Sequence, residues 1–222
     1  MERQLITKQI NDIKNDIIRL NNTLYALDMT DIHRYSDNYE ILSTDAALRG
    51  EKIACRLRHL IYSSTGIKKE EYLNSAGIMH GIEIKYENGI MEITLPSLLP
   101  KRTRQKSSEF LFDPFFFTLK NYAEKNPMPK YKYCVVCFSH IYNRALPSRR
   151  IRDHDNIELK EILDIISTFI MEDDSGLLCD TYNMTEFGGK DCTRISIMDK
   201  DRFPDWLAAH KNTIESISDF NE

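Results

Sequence analysis

The sequence predicts an α+β protein, in which a helical N-terminal module precedes a small mixed β-sheet with two packed helices. Three observations predict it. Apolar residues recur at helical spacing from Ile6 to Leu27, and Asn88-Gly89 separates two runs of alternating apolar and polar residues. Beyond residue 131, apolar runs of strand length flank one of helix length.

Each element has its own signal. Ile6, Ile10, Ile13, Ile17, Leu20, Leu24 and Leu27 are spaced 4, 3, 4, 3, 4, 3, a heptad seam three repeats long over residues 5–28. Two readings stand: an intermolecular coiled coil, or a helix packed on its own domain. A second helix is expected near Ser43-Thr44-Asp45, good capping residues, with Ile53, Leu57, Leu60 and Ile61 as its buried stripe. Residues 1–80 thus form the helical module and residues 81–222 the α+β domain. Residues 82–86 and 90–95 read as a hairpin, because Asn-Gly suits the type I′ turn that matches strand twist. Asp113-Pro114 opens a helix with a capping Asp and Pro in the first turn, and its Phe115, Phe116, Phe117, Leu119 and Tyr122 read as core. A strand over 131–142, a helix over 157–171, strands near 177–186 and 192–198, and an acidic helical tail holding Trp206 complete the order.

Composition narrows the classes. With 41% hydrophobic and 29% charged residues among 222, the chain resembles an ordinary soluble globular protein. No run of about eighteen apolar residues is present to span a membrane. Met1-Glu2-Arg3-Gln4-Leu5 lacks the apolar run of a secretion signal, so a cytoplasmic protein is expected, without membrane partners. Five cysteines, an odd number, make no disulfide framework. Cys134 and Cys137 are three apart in a strand-like run, so they face opposite ways and cannot share a zinc ion.

The formal charge of −4 conceals an asymmetry. Residues 96–152 hold twelve Lys or Arg against three Asp or Glu, a local balance of +9, which leaves −13 for the rest. A basic segment in an acidic protein fits a polyanionic partner, and a solvated face is the alternative. The basic run ends in Arg149-Arg150-Ile151-Arg152-Asp153-His154-Asp155-Asn156, and Glu172-Asp173-Asp174 follows after the intervening helix. Carboxylates hold a hard divalent cation and arginines hold phosphate, which is what metal-dependent phosphodiester hydrolysis requires. The competing reading makes the aspartates helix caps with arginine partners, and from chemistry alone the two stand level. Lys160 and Asp164, four apart, share a helix face, as a simple ion pair or with the lysine near a phosphate. As a calcium loop the segment fails, since Ile157 and Glu158 occupy the fifth and sixth positions.

The order of these elements resembles the RusA family of Holliday-junction resolvases: Ile93-Thr94-Leu95-Pro96, a basic loop, an aromatic helix, a strand, Arg-Arg-x-Arg-Asp-x-Asp-Asn, a helix bearing Lys160 and Asp164, then Asp173-Asp174. The resemblance covers residues 90–199, about half of the chain. It implies a homodimer that cleaves branched DNA with magnesium, or manganese in its place, in a family often carried by prophages. It implies Asp153, Asp155 and Asp174 as metal ligands with Asp173 beside them, and Lys160 at the phosphate. Lys101, Arg102, Arg104, Lys106, Arg149, Arg150 and Arg152 would grip the DNA backbone. The chain differs from the family pattern in three respects. Lys160 falls five residues after Asp155 rather than four, His154 stands where an apolar residue is usual, and residues 1–80 have no counterpart. A core that binds nucleic acid or a protein partner without cutting is the alternative reading. A third is an assembly protein whose N-terminal heptads carry the function.

Overall fold

Among the described residues five strands form one mixed sheet in the order β1-β2-β5-β3-β4, so the last of them in sequence lies at the centre. The strands are β1 (Glu83–Glu87), β2 (Ile90–Leu95), β3 (Cys134–Asn143), β4 (Cys179–Gly188) and β5 (Cys192–Asp199). The computed structural model describes residues 2–101 and 111–218, with side chains described over 3–101 and 111–210. Six α-helices are present among the described residues: α1 (Glu2–Asp28), α2 (Ser36–Ser64), α3 (Lys69–His80), α4 (Phe112–Lys125), α5 (Lys160–Ile170) and α6 (Phe203–Ser218). The fold is therefore α+β with a mixed sheet. The chain divides into two compact units, Met1–Tyr72 and Leu73–Glu222.

In the first unit α1 packs along α2, and only half of the predicted seam is used for it. Ile13 is buried and Ile6, Leu20 and Leu27 are partly buried, whereas Ile10, Ile17 and Leu24 stay exposed. Polar residues complete the contact. Asp16, 5% exposed, takes Arg56 at 2.7 Å and Lys52 at 3.2 Å, while the Thr23 hydroxyl donates to Asp45 Oδ2 at 3.0 Å. The α2 helix starts at Ser36 rather than near Ser43. A turn in which Asp31 Oδ1 accepts the amides of His33 and Arg34 redirects the chain before it. Of its expected stripe, Ile53 is buried but Leu57 is 42% exposed.

The second unit follows the sequence closely at the hairpin. Asn88 and Gly89 both take positive φ, 51° and 74°, as a type I′ turn requires, and Glu87 pairs with Ile90 across it. The β2 strand continues into β5 (Ile93 opposite Ile195), β5 into β3 (Ile195 opposite Phe138), and β3 runs parallel to β4 (Phe138 opposite Asn183).

One sheet face carries the main core: Met91, Ile93, Leu95, Val136, Phe138, Ile195 and Ile197 against Phe115 and Leu119 of α4 and Ile162, Ile166 and Ile170 of α5. The other face carries a smaller cluster of Val135, Cys137, Met184 and Met198 with Trp206 of α6. Cys134 belongs to the first cluster and Cys137 to the second, so the two thiols do lie on opposite faces.

Two helix starts differ from expectation. The α4 helix begins at Phe112 with Leu111 at its cap, two residues ahead of the expected capping Asp113. Pro114 still falls within the first turn, where a missing N–H has no helical partner to lose. The α5 helix begins at Lys160, three residues late, because Ile157 forms a β-bridge with Lys101.

Candidate functional site

The acid-bearing loop between β3 and α5 is tied down along its length. The Arg152 amide donates to the Tyr142 hydroxyl at 3.0 Å, and its Nη1 donates to the Leu99 carbonyl at 2.7 Å. The Glu158 amide donates to the Pro100 carbonyl at 3.0 Å, next to the bridge between Lys101 and Ile157. Leu99 and Ile157 are both buried, which anchors the junction. Lys101, the first residue of the basic loop, is thereby held beside the acid loop. Arg102, Arg104 and Lys106 lie outside the described residues.

The aspartates do not cap a helix. Asp153 precedes a short 3₁₀ turn, His154–Asn156, with no side-chain capping bond, and Leu159 occupies the cap of α5. The first α5 amide, Lys160 N–H, is taken instead by Glu158 Oε1 at 3.1 Å. Both aspartates are exposed, and among the described residues neither carboxylate makes a hydrogen bond or ion pair. Capping therefore gives no account of them.

Asp155 lines an open cavity of about 350 Å³ together with Glu158, Lys160, His154 and Asn183. The Lys160 ammonium pairs with Asp164 at 2.7 Å, and its proton affinity is raised by that hydrogen bond first, with smaller contributions from Asp174 and Glu158. Asp173 and Asp174 sit exposed in the loop after α5, where the Asp174 amide donates to Asp173 Oδ1 at 2.9 Å. Of the four expected metal ligands, only Asp155 lines this cavity. Among the described residues no three His, Cys, Asp or Glu side chains are grouped closely enough to hold a metal ion. A closed protein cage is thus not assembled. A magnesium ion, however, takes one or two carboxylates and completes its shell with waters and substrate phosphates. The donor set of Asp155 with Glu158 at one open cavity fits that mode.

The arginines divide into two groups. Arg149 is exposed in the turn Ser148–Arg150. Arg150 makes a two-pronged pair with Asp191, at 2.7 and 3.0 Å, and lies over the Tyr142 ring. Arg152 is engaged with Leu99 as above. Two of the three arginines in this loop, expected at phosphate, therefore hold it in shape.

Sequence reasoning missed a second layer beneath the cavity. His154 Nε2 lies 3.0 Å from the Thr185 hydroxyl of β4, and its ring is 5.4 Å from that of His140 on β3. His140 is 1% exposed, its Nδ1 has no partner among the described residues, and Nε2 has a long contact of 3.5 Å to Asn183 Oδ1. Burial drives its pKa down to about 4, with the nearby His154 and Arg152 charges adding to the effect. It stays neutral at physiological pH. No sequence pattern joins positions 140, 154, 183 and 185; the parallel register of β3 with β4 brings 140, 183 and 185 together, and the acid-bearing loop adds His154.

No curated protein matches the chain. Among solved structures, a MotB-like protein from Desulfovibrio vulgaris superposes with a TM-score of 0.31 at 11% identity, over 59% of this chain and 91% of that one. A likeness of that size assigns no shared fold. The profile of one family matches residues 2–221, and the chain belongs to that family, described as a family of unknown function (DUF6100).

Proposed function

We propose that this chain is a metal-dependent endodeoxyribonuclease that cleaves branched DNA of the Holliday-junction type, built on a RusA-like core. The single observation that supports the reading best is the state of Asp153 and Asp155. They are exposed, cap nothing and pair with nothing described, yet the loop that carries them is anchored at Tyr142, Leu99 and Pro100. Exposed carboxylates on a loop anchored at three points suit a site, which needs its ligands held in place.

In this reading Asp155 and Glu158 hold magnesium at the cavity, with Asp153, Asp173 and Asp174 supplying negative charge around it. When bound, the ion activates water for in-line attack and stabilises the leaving oxygen. Lys160, positioned by Asp164, meets the scissile phosphate. Lys101 and Arg149 contact the DNA backbone, together with Arg102, Arg104 and Lys106 of the basic loop. Arg150 and Arg152 keep the loop in shape and reach phosphate only with the donors left to them. Two copies, acting in the cytoplasm, would cut opposite strands. No helix among the described residues is long and apolar enough to cross a membrane.

A second reading, a RusA-like module that binds nucleic acid or protein without cutting, draws on one observation. Two arginines and the lysine of the site are already engaged within the fold. A cleavage assay on a synthetic four-way junction, with magnesium or with EDTA, separates the two. Paired nicks that need the metal and vanish in Asp155→Asn establish the nuclease. Tight junction binding with no nicks establishes the module, and neither binding nor nicking rejects both.

A further inference from the structure

Two buried thiols far apart in the chain share one rung of the sheet. Cys134 opens β3, Cys179 opens β4, and the parallel register sets them directly opposite each other. Register partners in a parallel pair point to the same face, and both residues belong to the main core cluster. The Cys134 thiol is fully buried, lies 3.5 Å from the Met171 thioether and hydrogen-bonds with Cys179. Cys179 is 7% exposed and is the first residue after the acidic loop, where the Ser175 carbonyl accepts its amide at 2.9 Å and Leu177 stands out in solvent. Of the two sulfurs, Cys179 is therefore the one nearer to solvent.

The hydrogen bond between the thiols acts on them in opposite senses. It raises the pKa of Cys134, which burial raises further, and it lowers that of Cys179. Lys200, paired with Asp180 at 2.8 Å, also favours the Cys179 thiolate, against burial and the charges of Asp180 and Asp174. One thiol keeps its proton while the other is the better nucleophile. Neither of the other two buried thiols can serve as the partner. Cys137 lies on the opposite face, and Cys192 stands opposite Ile141, seven residues and about 23 Å further along β3.

We infer that Cys134 and Cys179 form a redox-active dithiol, which hydrogen peroxide or an organic peroxide converts reversibly into a disulfide joining β3 to β4. The Cys179 thiolate attacks one peroxide oxygen and the O–O bond breaks. With hydrogen peroxide, the departing hydroxide takes up a proton and leaves as water, and Cys179 carries a sulfenic acid. The Cys134 sulfur then attacks the Cys179 sulfur, the S–O bond breaks, and the hydroxide leaves with the Cys134 proton as a second water. In all, the two thiols lose two electrons and two protons, and the peroxide is reduced. Neighbouring strands lie about 4.8 Å apart and the Cβ atoms of a disulfide about 3.8 Å, so closure draws the two strand starts together by about 1 Å. A bond made under that strain is readily reduced, which suits a switch better than a permanent staple. The inference stands apart from the nuclease reading, since neither cysteine belongs to the candidate site.

The test uses the full chain with Cys55, the exposed cysteine, replaced by Ser. The chain is treated with a small excess of hydrogen peroxide, free thiols are alkylated in denaturant, and the digest is read by mass spectrometry. The expected result is a linked peptide pair, Cys134 to Cys179, in a chain that still migrates as one copy without reductant. Cys137 and Cys192 should be alkylated as before, and dithiothreitol should return both linked thiols. In Cys134→Ala, dimedone should capture a sulfenic acid on Cys179. The linked pair is read with both cysteines in place, so it does not depend on the folding of that variant. Cys134 and Cys179 alkylated as fully after peroxide as before it overturn the inference. Oxidation spread evenly over the four buried thiols overturns it as well.

Discussion

Asp191 offers a quantitative test of how the arginine loop is held. Its Oδ2 accepts Arg150 Nη1 at 2.7 Å, and its Oδ1 accepts Arg150 Nη2 at 3.0 Å and the Asn143 amide at 2.6 Å. Both side chains of the pair are 30% exposed, between a surface pair worth well under about 1 kcal/mol and a buried charge-assisted one. The two-pronged geometry places the Arg150–Asp191 coupling at about 1–2 kcal/mol. Asp191→Ala also strands the Asn143 amide, which brings its total cost to about 2–3 kcal/mol. For a unit of this size that lowers Tm by roughly 4–12 °C. Asp191→Asn, which can still accept the Asn143 amide, should cost about half as much.

Thermal melts of wild type, Asp191→Ala, Arg150→Ala and the double variant give the coupling directly. A coupling below about 0.5 kcal/mol would falsify the claim that this pair holds the loop. The pH dependence supplies an independent sign. The Arg150 hydrogen bond, and after it the Asn143 amide, hold the Asp191 carboxyl below its ordinary value. Its contribution is therefore complete above the unfolded value near pH 4 (about 3.9) and is lost as pH falls through the lower folded value. The Asp191→Asn variant should lack that limb.

Three further outcomes are expected. His140, with its pKa driven down to about 4 by burial, leaves the unfolded chain binding the extra proton below about pH 6.5. Stability should fall by on the order of 3 kcal/mol from there to about pH 4, and chemical denaturation of His140→Gln across that range should show a flatter curve; parallel curves reject the assignment. A Cβ at Gly77 meets the Thr118 hydroxyl, which bonds to the Pro114 carbonyl. Gly77→Ala should therefore lose about 1–3 kcal/mol in urea unfolding, and adding Thr118→Ala should recover most of it. Ile166, fully buried between α5 and the sheet, should cost about 2–5 kcal/mol when cut to Ala, and a smaller loss would mean that the helix re-packs.

What the sequence made legible was local. The hairpin was readable because Asn88-Gly89 fixes a turn by its own backbone preferences, with no help from the rest of the molecule. The start of α5 was not, since Ile157 has the spacing of a helical core residue but is buried through a bridge to Lys101, far away in sequence. The start of α2 was hidden for a related reason. Ser43-Thr44-Asp45 looks like a cap, yet Asp45 sits inside the helix, paired with Arg49 and Thr23. The heptads announced a helix with partners on one side, but not that α2 would cover only half of the seam. In the candidate site, the order of elements singled out Asp155 and Lys160, which both line the cavity. Asn183, Thr185 and His140 come from strands whose adjacency no local pattern encodes.

The central place of β5 sets the order in which the chain can be completed. During synthesis the β1–β2 hairpin and the β3–β4 ladder emerge first, and each has a strand edge that only β5 can pair. Until residue 199 leaves the ribosome these are two fragments, each showing apolar side chains such as Ile93 and Phe138 that the finished sheet conceals. A ribosome stalled between β4 and β5 would leave them in that condition, as a substrate for chaperones and proteases rather than a weakened protein.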